Sequence, residues 1–254
     1  MSGFVVAPNL PANCESLIIG SKYADILEIP LKSRGLSPIF VPDNPNIDKR
    51  LSGHADLSVF HAGGERLILA PYLRQSAFSA SLLALGAKLE YADIEQGEKY
   101  PLDAQLNACA LGRKLLFCSK KTAESALSAC FAEQNPDCSV MDVRQGYSRC
   151  SVCVVNERAL ITSDAGIAAQ ARSMGVAALE ISAGHVALPG FEYGFIGGAA
   201  FKLAKRRLAF TGLLDGHPDR KAILDFLHRH DTEPVFLTDK PVFDIGSAVP
   251  LTEK

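Results

Sequence analysis

Internal repetition constrains the fold of this chain more than any other feature of its sequence. Four segments share one pattern, in which a turn with basic residues leads into a short apolar strand: 64–70, 112–118, 156–162 and 205–211. Residues 14–20 form a weaker fifth copy. Successive copies lie roughly 44 to 50 residues apart, so the 254 residues hold about five periods of one supersecondary unit.

The surroundings of each copy repeat as well. A strand-like stretch precedes four of the turns, at 56–60, 106–111, 150–155 and 194–200. A helical segment follows each apolar strand, as in 163–175, where serine and aspartate stand at the start and glycine at the end. A second short strand then closes the units, at 39–41, 88–91, 140–143, 178–181 and 235–237. The repeating unit is therefore predicted to be strand, strand, helix, strand.

The two ends of the chain complement each other. The first unit lacks a leading strand, and an unassigned strand-like run, 242–251, follows the last unit. Pairing this run with the first unit closes a ring and covers an open sheet edge. We therefore predict an α/β fold, a five-bladed ββαβ propeller, as one domain over 1–254. Its approximate units are 14–41 with 242–251, 53–94, 103–143, 147–181 and 191–237.

Composition excludes several classes of protein. The chain carries 26 basic and 28 acidic residues, which removes the attraction needed for non-specific nucleic-acid binding. No apolar run reaches the length of a membrane span, and the first residues lack the features of a signal peptide. An odd number of cysteines, seven, indicates free thiols in a reducing compartment. The sequence thus predicts a soluble cytoplasmic protein with a sizeable core, without nucleic-acid or membrane partners.

One motif and three shorter matches connect the repeat to a known fold. Residues 53–60, Gly-His-Ala-Asp-Leu-Ser-Val-Phe, resemble the His-x-Asp motif of the penteins, which are α/β-propellers that modify guanidino groups. The segments 145–151, 193–198 and 244–247 resemble an uncharacterised bacterial branch of that fold. The resemblance covers essentially the whole chain as a repeat pattern. It implies hydrolysis or amidino transfer on a guanidino compound, with no metal and no organic cofactor.

The chemistry of a guanidinium explains the first candidate residues. The group is planar and permanently charged, so carboxylates must hold it. A His must protonate the departing amine and activate water or an acceptor amine. His54 and Asp56 stand two apart on a predicted strand and would share a face, with His54 as acid/base and Asp56 binding substrate or orienting the ring. The alternative is a pair that only satisfies backbone groups of a loop.

The nucleophile is harder to place. Penteins usually carry a cysteine on the closing strand, where this chain has Ser247. Cys150 is the preferred thiol, because it lies on a predicted leading strand beside Arg149, and a neighbouring cation lowers a thiol pKa. Cys109 is the next option. Cys150 and Cys153 would point to opposite faces of that strand, which argues against a shared metal.

The remaining candidates are predicted to bind substrate. Asp103 and Asn107 flank the third leading strand, and Gln145 stands where related hydrolases place a His. Arg149, Asp244 and Ser247 complete this set, which is Asp103, Asn107, Gln145, Arg149, Asp244 and Ser247. The glycines in 194–198 are interpreted as points of close backbone approach near the central channel.

Two functions from different classes remain open at this stage. One is an enzyme that modifies guanidino or amidino groups in the central channel. The other is a catalytically silent pentein that binds a small cation or a protein partner there. The sequence leaves the oligomeric state open, with a dimer among the options.

Overall fold

The computed structural model describes residues 3–254 and contains five small sheets. The first unit has strands β1 (Gly3–Phe4), β2 (Cys14–Gly20) and β3 (Ser37–Val41), with helix α1 (Ala24–Lys32) between β2 and β3. The second unit has β4 (Val59–Gly63), β5 (Arg66–Leu69), α2 (Ala77–Ala84) and β6 (Lys88–Tyr91). The third has β7 (Cys109–Leu111), β8 (Leu115–Cys118), α3 (Ser125–Gln134) and β9 (Ser139–Asp142).

The last two units repeat this order. The fourth begins with a helical turn, α4 (Ser148–Ser151), and continues with β10 (Val152–Asn156), β11 (Ala159–Thr162), α5 (Ala165–Ser173) and β12 (Ala177–Glu180). The fifth has β13 (Ala200–Ala204), β14 (Arg207–Phe210), α6 (Arg220–Arg229) and β15 (Glu233–Phe236). The chain ends with β16 (Val249–Glu253). Within residues 3–254, no helix combines the length and apolar character that crossing a bilayer requires.

Strand pairing follows one rule in units two to five. The leading strand pairs antiparallel with the second strand through a tight turn, and the helix returns the chain to a third strand parallel to the second. In the second unit, Val59 pairs with Leu69, and Leu67 pairs with Leu89. The predicted ββαβ unit is confirmed in these four sheets.

The C-terminal strand completes the first unit. Strand β16 pairs antiparallel with β2, with Val249 opposite Ile18, and it also pairs with the short β1. The prediction of ring closure is therefore confirmed, although the strand itself is shorter than the run 242–251. Residues 242–248 are irregular except for bridging contacts such as Phe243 with Ala187, and regular pairing begins at Val249.

Apolar packing joins the five units into a ring. Five buried clusters each combine side chains from two consecutive units, and one of them joins the fifth unit to the first. In that cluster, Phe201 and Ala209 of the fifth unit are in the same core as Leu17 and Leu27 of the first. Because every unit shares a core with both neighbours, the fold is the predicted five-bladed α/β-propeller.

The leading strands begin later than the sequence indicates. Residues 55–57 form a 3-10 turn rather than the start of a strand, and 148–151 form the helical turn α4. The cause lies in the partner strands: β5 ends at Leu69 opposite Val59, and β11 ends at Thr162 opposite Val152. No ladder remains for the preceding residues to join, so their backbone turns. These two turns carry the candidate residues Asp56, Arg149 and Cys150.

Candidate active site at the leading turns

A cavity of about 310 Å³ lies where the turns before the leading strands meet. It is lined by residues of the second and fourth units, of the segment 188–195 and of the closing segment: Leu51, His54, Leu57, Tyr147, Cys150, Leu188, Phe191, Glu192, Tyr193, Phe195 and Asp244. Such a volume suits a small organic molecule. Leu51, Leu57 and Leu188 also belong to a separate apolar cluster that supports this end of the ring.

Three reactive side chains are grouped at this cavity. The ligand atoms of His54, Asp56 and Cys150 all lie within 4.8 Å of one another, and all three residues are buried. The Cys150 thiol donates a hydrogen bond to Asp56 Oδ2 at 2.9 Å. His54 Nε2 and Asp56 Oδ1 are buried without a hydrogen-bond partner among the described residues. These three residues were predicted from the sequence as catalytic. That prediction placed them on strands, whereas in the structure they lie in or next to turns.

The local backbone explains how His54 and Asp56 come together. His54 is the residue before the 3-10 turn Ala55–Leu57, and Asp56 lies inside that turn. Gly246 packs directly on His54: a Cβ at Gly246 would lie 2.3 Å from His54 Cβ. Its φ of +68° is also in the region that favours glycine. The Asp56 amide donates to the Gly246 carbonyl at 3.2 Å, so the closing segment holds the turn in place.

Asn107 links the thiol to its surroundings. Its Oδ1 accepts hydrogen bonds from the backbone amides of Arg149, at 2.7 Å, and Cys150, at 3.3 Å. Its Nδ2 donates to the Asp56 carbonyl and to Cys150 Sγ, both at 3.4 Å. Asn107 was predicted to bind substrate, whereas here it is fully buried and holds α4 against the turn that carries Asp56.

Asp244 brings a second carboxylate to the cavity. Its Oδ2 accepts from the Phe195 amide and its Oδ1 from the Gly246 amide, both at 2.8 Å. A Cβ at Gly198 would lie 1.9 Å from Asp244 Oδ1, so this carboxylate occupies the space that a larger residue would need. The interpretation of the 194–198 glycines as points of close approach is confirmed.

Burial controls the protonation of the three reactive groups. Burial raises the pKa of Asp56 to about 7, although the hydrogen bond from Cys150 opposes the shift. Burial also raises the pKa of the Cys150 thiol well above its ordinary value, and the charges of Asp56 and Asp244 add to this. The pKa of His54 is lowered by burial. The resting site therefore holds a neutral imidazole and a protonated thiol.

The Cys150 thiol does not have the lowered pKa that its neighbour Arg149 led us to expect, because burial raises that pKa. The Arg149 guanidinium points away from the cavity and donates to the carbonyls of Val152, at 3.2 Å, and Ala248, at 3.4 Å. Burial and the two carboxylates determine the pKa of the thiol instead. Arg149 and Cys150 are neighbours on a helical turn, where consecutive side chains point in different directions. Their adjacency in the sequence therefore did not place the guanidinium beside the thiol.

The other predicted residues lie at different distances from the cavity. Asp103 is buried behind it and accepts a hydrogen bond of 2.6 Å from the Tyr147 hydroxyl. Gln145 Oε1 accepts from the Tyr147 amide at 3.1 Å. Ser247 is buried with a φ of +60°, and its hydroxyl donates to the Ala200 carbonyl at 3.2 Å. Asp103 and Gln145 thus position Tyr147, and Ser247 does not line the cavity.

Sequence reasoning missed the wall of the cavity. Tyr147, Phe191, Tyr193 and Phe195 line it, and Glu192 stands among them. Tyr147 packs against Phe195 with ring centroids 6.2 Å apart. The available signal was the density of aromatic residues in 191–195, a segment treated only as part of a motif. Aromatic faces attract cations, so this wall and the carboxylates have the same electrostatic preference.

The side chains of His54, Asp56 and Cys150 are also a possible set of metal ligands. Imidazole nitrogen, carboxylate oxygen and thiolate sulfur are the ligands that Zn²⁺ prefers, and here one of each lies within 4.8 Å of the others. Three protein ligands facing a cavity are typical of catalytic zinc sites. No metal was predicted from the sequence, because only Cys150 and Cys153 were considered as a shared pair of ligands. The pairing of Cys150 with His54 and Asp56 was not considered.

Comparisons with known proteins separate the fold from the activity. A model of the family of unknown function DUF6873 matches residues 18–249. No curated protein matches the chain. Solved structures with the same fold include the inosamine-phosphate amidinotransferase StrB1 from Streptomyces griseus, at 10% identity and a TM-score of 0.58, with 98% of this chain and 97% of that chain covered.

Two hydrolytic proteins are similar to the same extent. Agmatine deiminase from C. jejuni, solved with substrate bound, has 9% identity and a TM-score of 0.57, covering 99% of this chain and 96% of that one. DDAH from Pseudomonas aeruginosa, solved in complex with citrulline, has 9% identity and a TM-score of 0.56, covering 95% and 99%. The TM-scores and the nearly complete coverage establish the shared pentein fold. Because the sequence identities are this low, the chemistry of this chain has to be argued from its own side chains.

Proposed function

The chain belongs to the family of unknown function DUF6873, and we propose that it is an enzyme that hydrolyses or transfers the amidino group of a small guanidino compound. The observation that carries this proposal is the convergence of one thiol, one imidazole and two carboxylates at a single aromatic cavity. His54, Cys150 and Asp244 line it, and Asp56 lies beneath them. The structural relatives include amidinotransferases and deiminases, which supports the same class of reaction.

Electrostatics favours a cationic ligand. The charged residues that line the cavity are Asp244 and Glu192, and the lining contains no lysine or arginine. One guanidinium outside the lining, that of Arg50, stacks on Phe191 with 4.2 Å between its Cζ and the ring centroid. Arg50 is held by Asp48 and by the Gly190 carbonyl. A guanidinium ion entering the cavity therefore meets carboxylates and aromatic faces, and no lysine or arginine among residues 3–254 lines the cavity beside it.

The first half of the reaction forms a covalent intermediate. Binding of the substrate cation beside Asp56 and Asp244 favours the thiolate, because it offsets the two charges that raise the pKa of Cys150. The thiol proton passes to His54, which starts as a neutral base. Cys150 Sγ then bonds to the central guanidino carbon. As that carbon's bond to one nitrogen breaks, His54 returns the proton to the departing amine.

The second half regenerates the enzyme. A water molecule, or an amine in the transfer reaction, gives a proton to His54 and bonds to the amidino carbon. The carbon–sulfur bond then breaks, and the Cys150 thiolate recovers its proton from His54. Hydrolysis yields a ureido product or urea, and the remaining proton of the cationic intermediate is released to the departed amine. Transfer yields a new guanidinium ion, which keeps the positive charge. Asn107 holds the thiol in line through its contact with Sγ at 3.4 Å, which makes it a positioning residue.

The lining also restricts the substrate class. A free carboxylate on the ligand would lie near Glu192 or Asp244 with no lining cation to pair with it. Guanidines without a carboxylate, such as agmatine or methylguanidine, are therefore expected to bind better than arginine. The exposed Glu192, flanked by Phe191 and Tyr193, suits a second positive group at the cavity rim.

The test compares turnover and binding in the same protein. Agmatine, methylguanidine and arginine are incubated with wild type and with Cys150→Ala, and ureido products, urea and released amine are quantified. We expect turnover of at least one carboxylate-free guanidine by wild type and none by the variant, which still binds it. Binding without turnover in both proteins supports the catalytically silent alternative, and absence of binding contradicts a guanidino site altogether.

A second candidate function rests on the donor set His54, Asp56 and Cys150, which could hold a divalent metal. The two candidates differ in what they require. A covalent enzyme works in the presence of a chelator and is inhibited when Zn²⁺ occupies its thiol, whereas a metalloenzyme loses activity when the metal is removed. Activity before and after dialysis against a chelator, with Zn²⁺ then added back, separates them.

A further inference from the structure

A second cavity, of about 770 Å³, shares no lining residue with the candidate active site. The N-terminal segment 6–12 forms one side of it. The turns of the fourth and fifth units, the residues after α6 and Glu253 of β16 form the rest. Lys202 of β13 lines it while being only 1% exposed. A charged side chain buried at the wall of a large cavity needs an explanation, because burying a charge is unfavourable without a partner.

Among residues 3–254, Lys202 Nζ donates a single hydrogen bond, to the carbonyl of Lys205 at 3.0 Å. An ammonium group has three donors, and no carboxylate lies within 4.0 Å of it among residues 3–254. Burial lowers the pKa of Lys202 to about 8, so most of the molecules still carry the charge at neutral pH. The group is thus charged, buried and incompletely paired.

The repeat provides an internal comparison. His61 occupies the equivalent position of the second unit, since His61 pairs with Leu67 as Lys202 pairs with Leu208. His61 Nε2 lies 2.8 Å from the Gly64 carbonyl, three residues ahead, as Lys202 Nζ lies near that of Lys205. Burial lowers the pKa of His61. A neutral side chain is therefore sufficient to contact the turn carbonyl in the second unit. Support of the turn therefore does not account for the positive charge at Lys202.

Some charged residues that line the cavity have an ion-pair partner and others have none. Arg158 and Lys205 line it and have no ion pair among residues 3–254, whereas Arg206 is paired with Asp231. Of the lining acids, Glu253 accepts hydrogen bonds from the amides of Val6 and Ala12. Lys202, Arg158 and Lys205 therefore have no acidic partner among residues 3–254. In the same part of the chain, Glu157 is the one lining acid without an ion pair or a hydrogen bond, so positive charge exceeds negative charge at this cavity.

We propose that this second cavity binds a small organic anion, with its carboxylate or phosphate at Lys202 and its apolar body against the N-terminal segment. Val6, Leu10 and Pro11 supply apolar surface on that side. Lys205 and Arg158 stand at the turns on the other side and add attraction for the same anionic group. This proposal is independent of the reaction at Cys150.

The test uses four probes and isothermal titration calorimetry on the full chain. Phenylacetate and phenyl phosphate combine an apolar ring with an anion, inorganic phosphate lacks the ring, and benzyl alcohol lacks the charge. We expect one or both ring anions to bind and the other two probes to bind at least tenfold more weakly. The preference between the two ring anions identifies carboxylate or phosphate as the natural group.

Variants assign the binding to Lys202. Lys202→Met removes the charge at similar volume, and Lys202→Gln keeps a donor for the Lys205 carbonyl if the first variant fails to fold. Either should weaken the ring anions at least tenfold, whereas Lys240→Met, at an exposed lysine outside the cavity, should not. No binding of either ring anion, or binding unchanged in the Lys202 variants, overturns the proposal.

Discussion

Replacing Asp56 by asparagine should change how the stability of the protein depends on pH. Asp56 is 1% exposed, and burial raises the pKa of its carboxyl from the ordinary 3.8 to about 7. A carboxyl with a raised pKa holds its proton more firmly in the folded state than in the unfolded state. Its stabilising contribution is complete below pH ~4 and is lost as the pH rises through about 7. Asparagine cannot ionise, so the free energy of unfolding of the variant does not fall with pH for this reason.

The size of the effect follows from the shift. Three pKa units correspond to about 4 kcal/mol of stability. Asparagine has nearly the same shape, and its Oδ1 can still accept the bond that Asp56 Oδ2 receives from Cys150. The free energy of unfolding of the variant should therefore match wild type near pH 4 and exceed it by about 2 to 4 kcal/mol at pH 8.

Urea unfolding followed by circular dichroism at pH 4, 6 and 8, with a reductant present, measures this difference. His54 is present in both proteins, so its contribution cancels in the comparison. Asp239→Asn, which removes a surface carboxyl, controls for the loss of one negative charge. A difference that stays constant from pH 4 to 8, or that turns against the variant as the pH rises, would refute the reasoning.

Three further predictions concern the cavity and its chemistry. His54→Gln should lower turnover about 100- to 10,000-fold through loss of the acid/base group, with the thermal midpoint nearly unchanged, whereas the exposed His185→Gln should match wild type in a product assay. Gly198→Ala should lower the free energy of unfolding by about 1 to 3 kcal/mol and weaken guanidine binding, because its methyl would displace Asp244. Gly216→Ala, with open space around its Cβ, is the control in both urea and titration experiments, and equal losses would contradict the packing argument. Activity should survive dialysis against a chelator, and its disappearance would favour the metal site.

The fold could be predicted because its unit is repeated. Each copy of the turn and apolar strand is a weak signal, but five copies at similar spacing restrict the chain to a ring of similar sheets. The second strands follow from short apolar runs, as in Leu115–Cys118. The closing strands follow from short stretches such as Lys88–Tyr91, in which charged and apolar residues alternate. Ring closure followed from the missing strand of the first unit, since an unpaired sheet edge requires cover.

The candidate site could be predicted only in part. His54, Asp56 and Cys150 were identified from residue type and position in the unit, yet their contact depends on turns that strand periodicity does not reveal. The direction of the Arg149 side chain and the aromatic wall depend on three-dimensional packing between units. Residues that act across a ring axis are distant in sequence, so no local pattern fixes their distances.

The reactivity of Cys150 tests the central claim most directly. The protein is treated with chloroacetamidine, a cationic alkylating agent, or with neutral chloroacetamide, and the modified cysteine is identified by peptide mass spectrometry. All seven cysteines are free, and Cys138 is the partly exposed one that serves as an internal reference. We predict that the cationic reagent modifies Cys150 ahead of Cys138, that guanidines protect it, and that the neutral reagent shows no such preference. Modification of Cys138 alone by both reagents would contradict a cation-binding thiol site in this cavity.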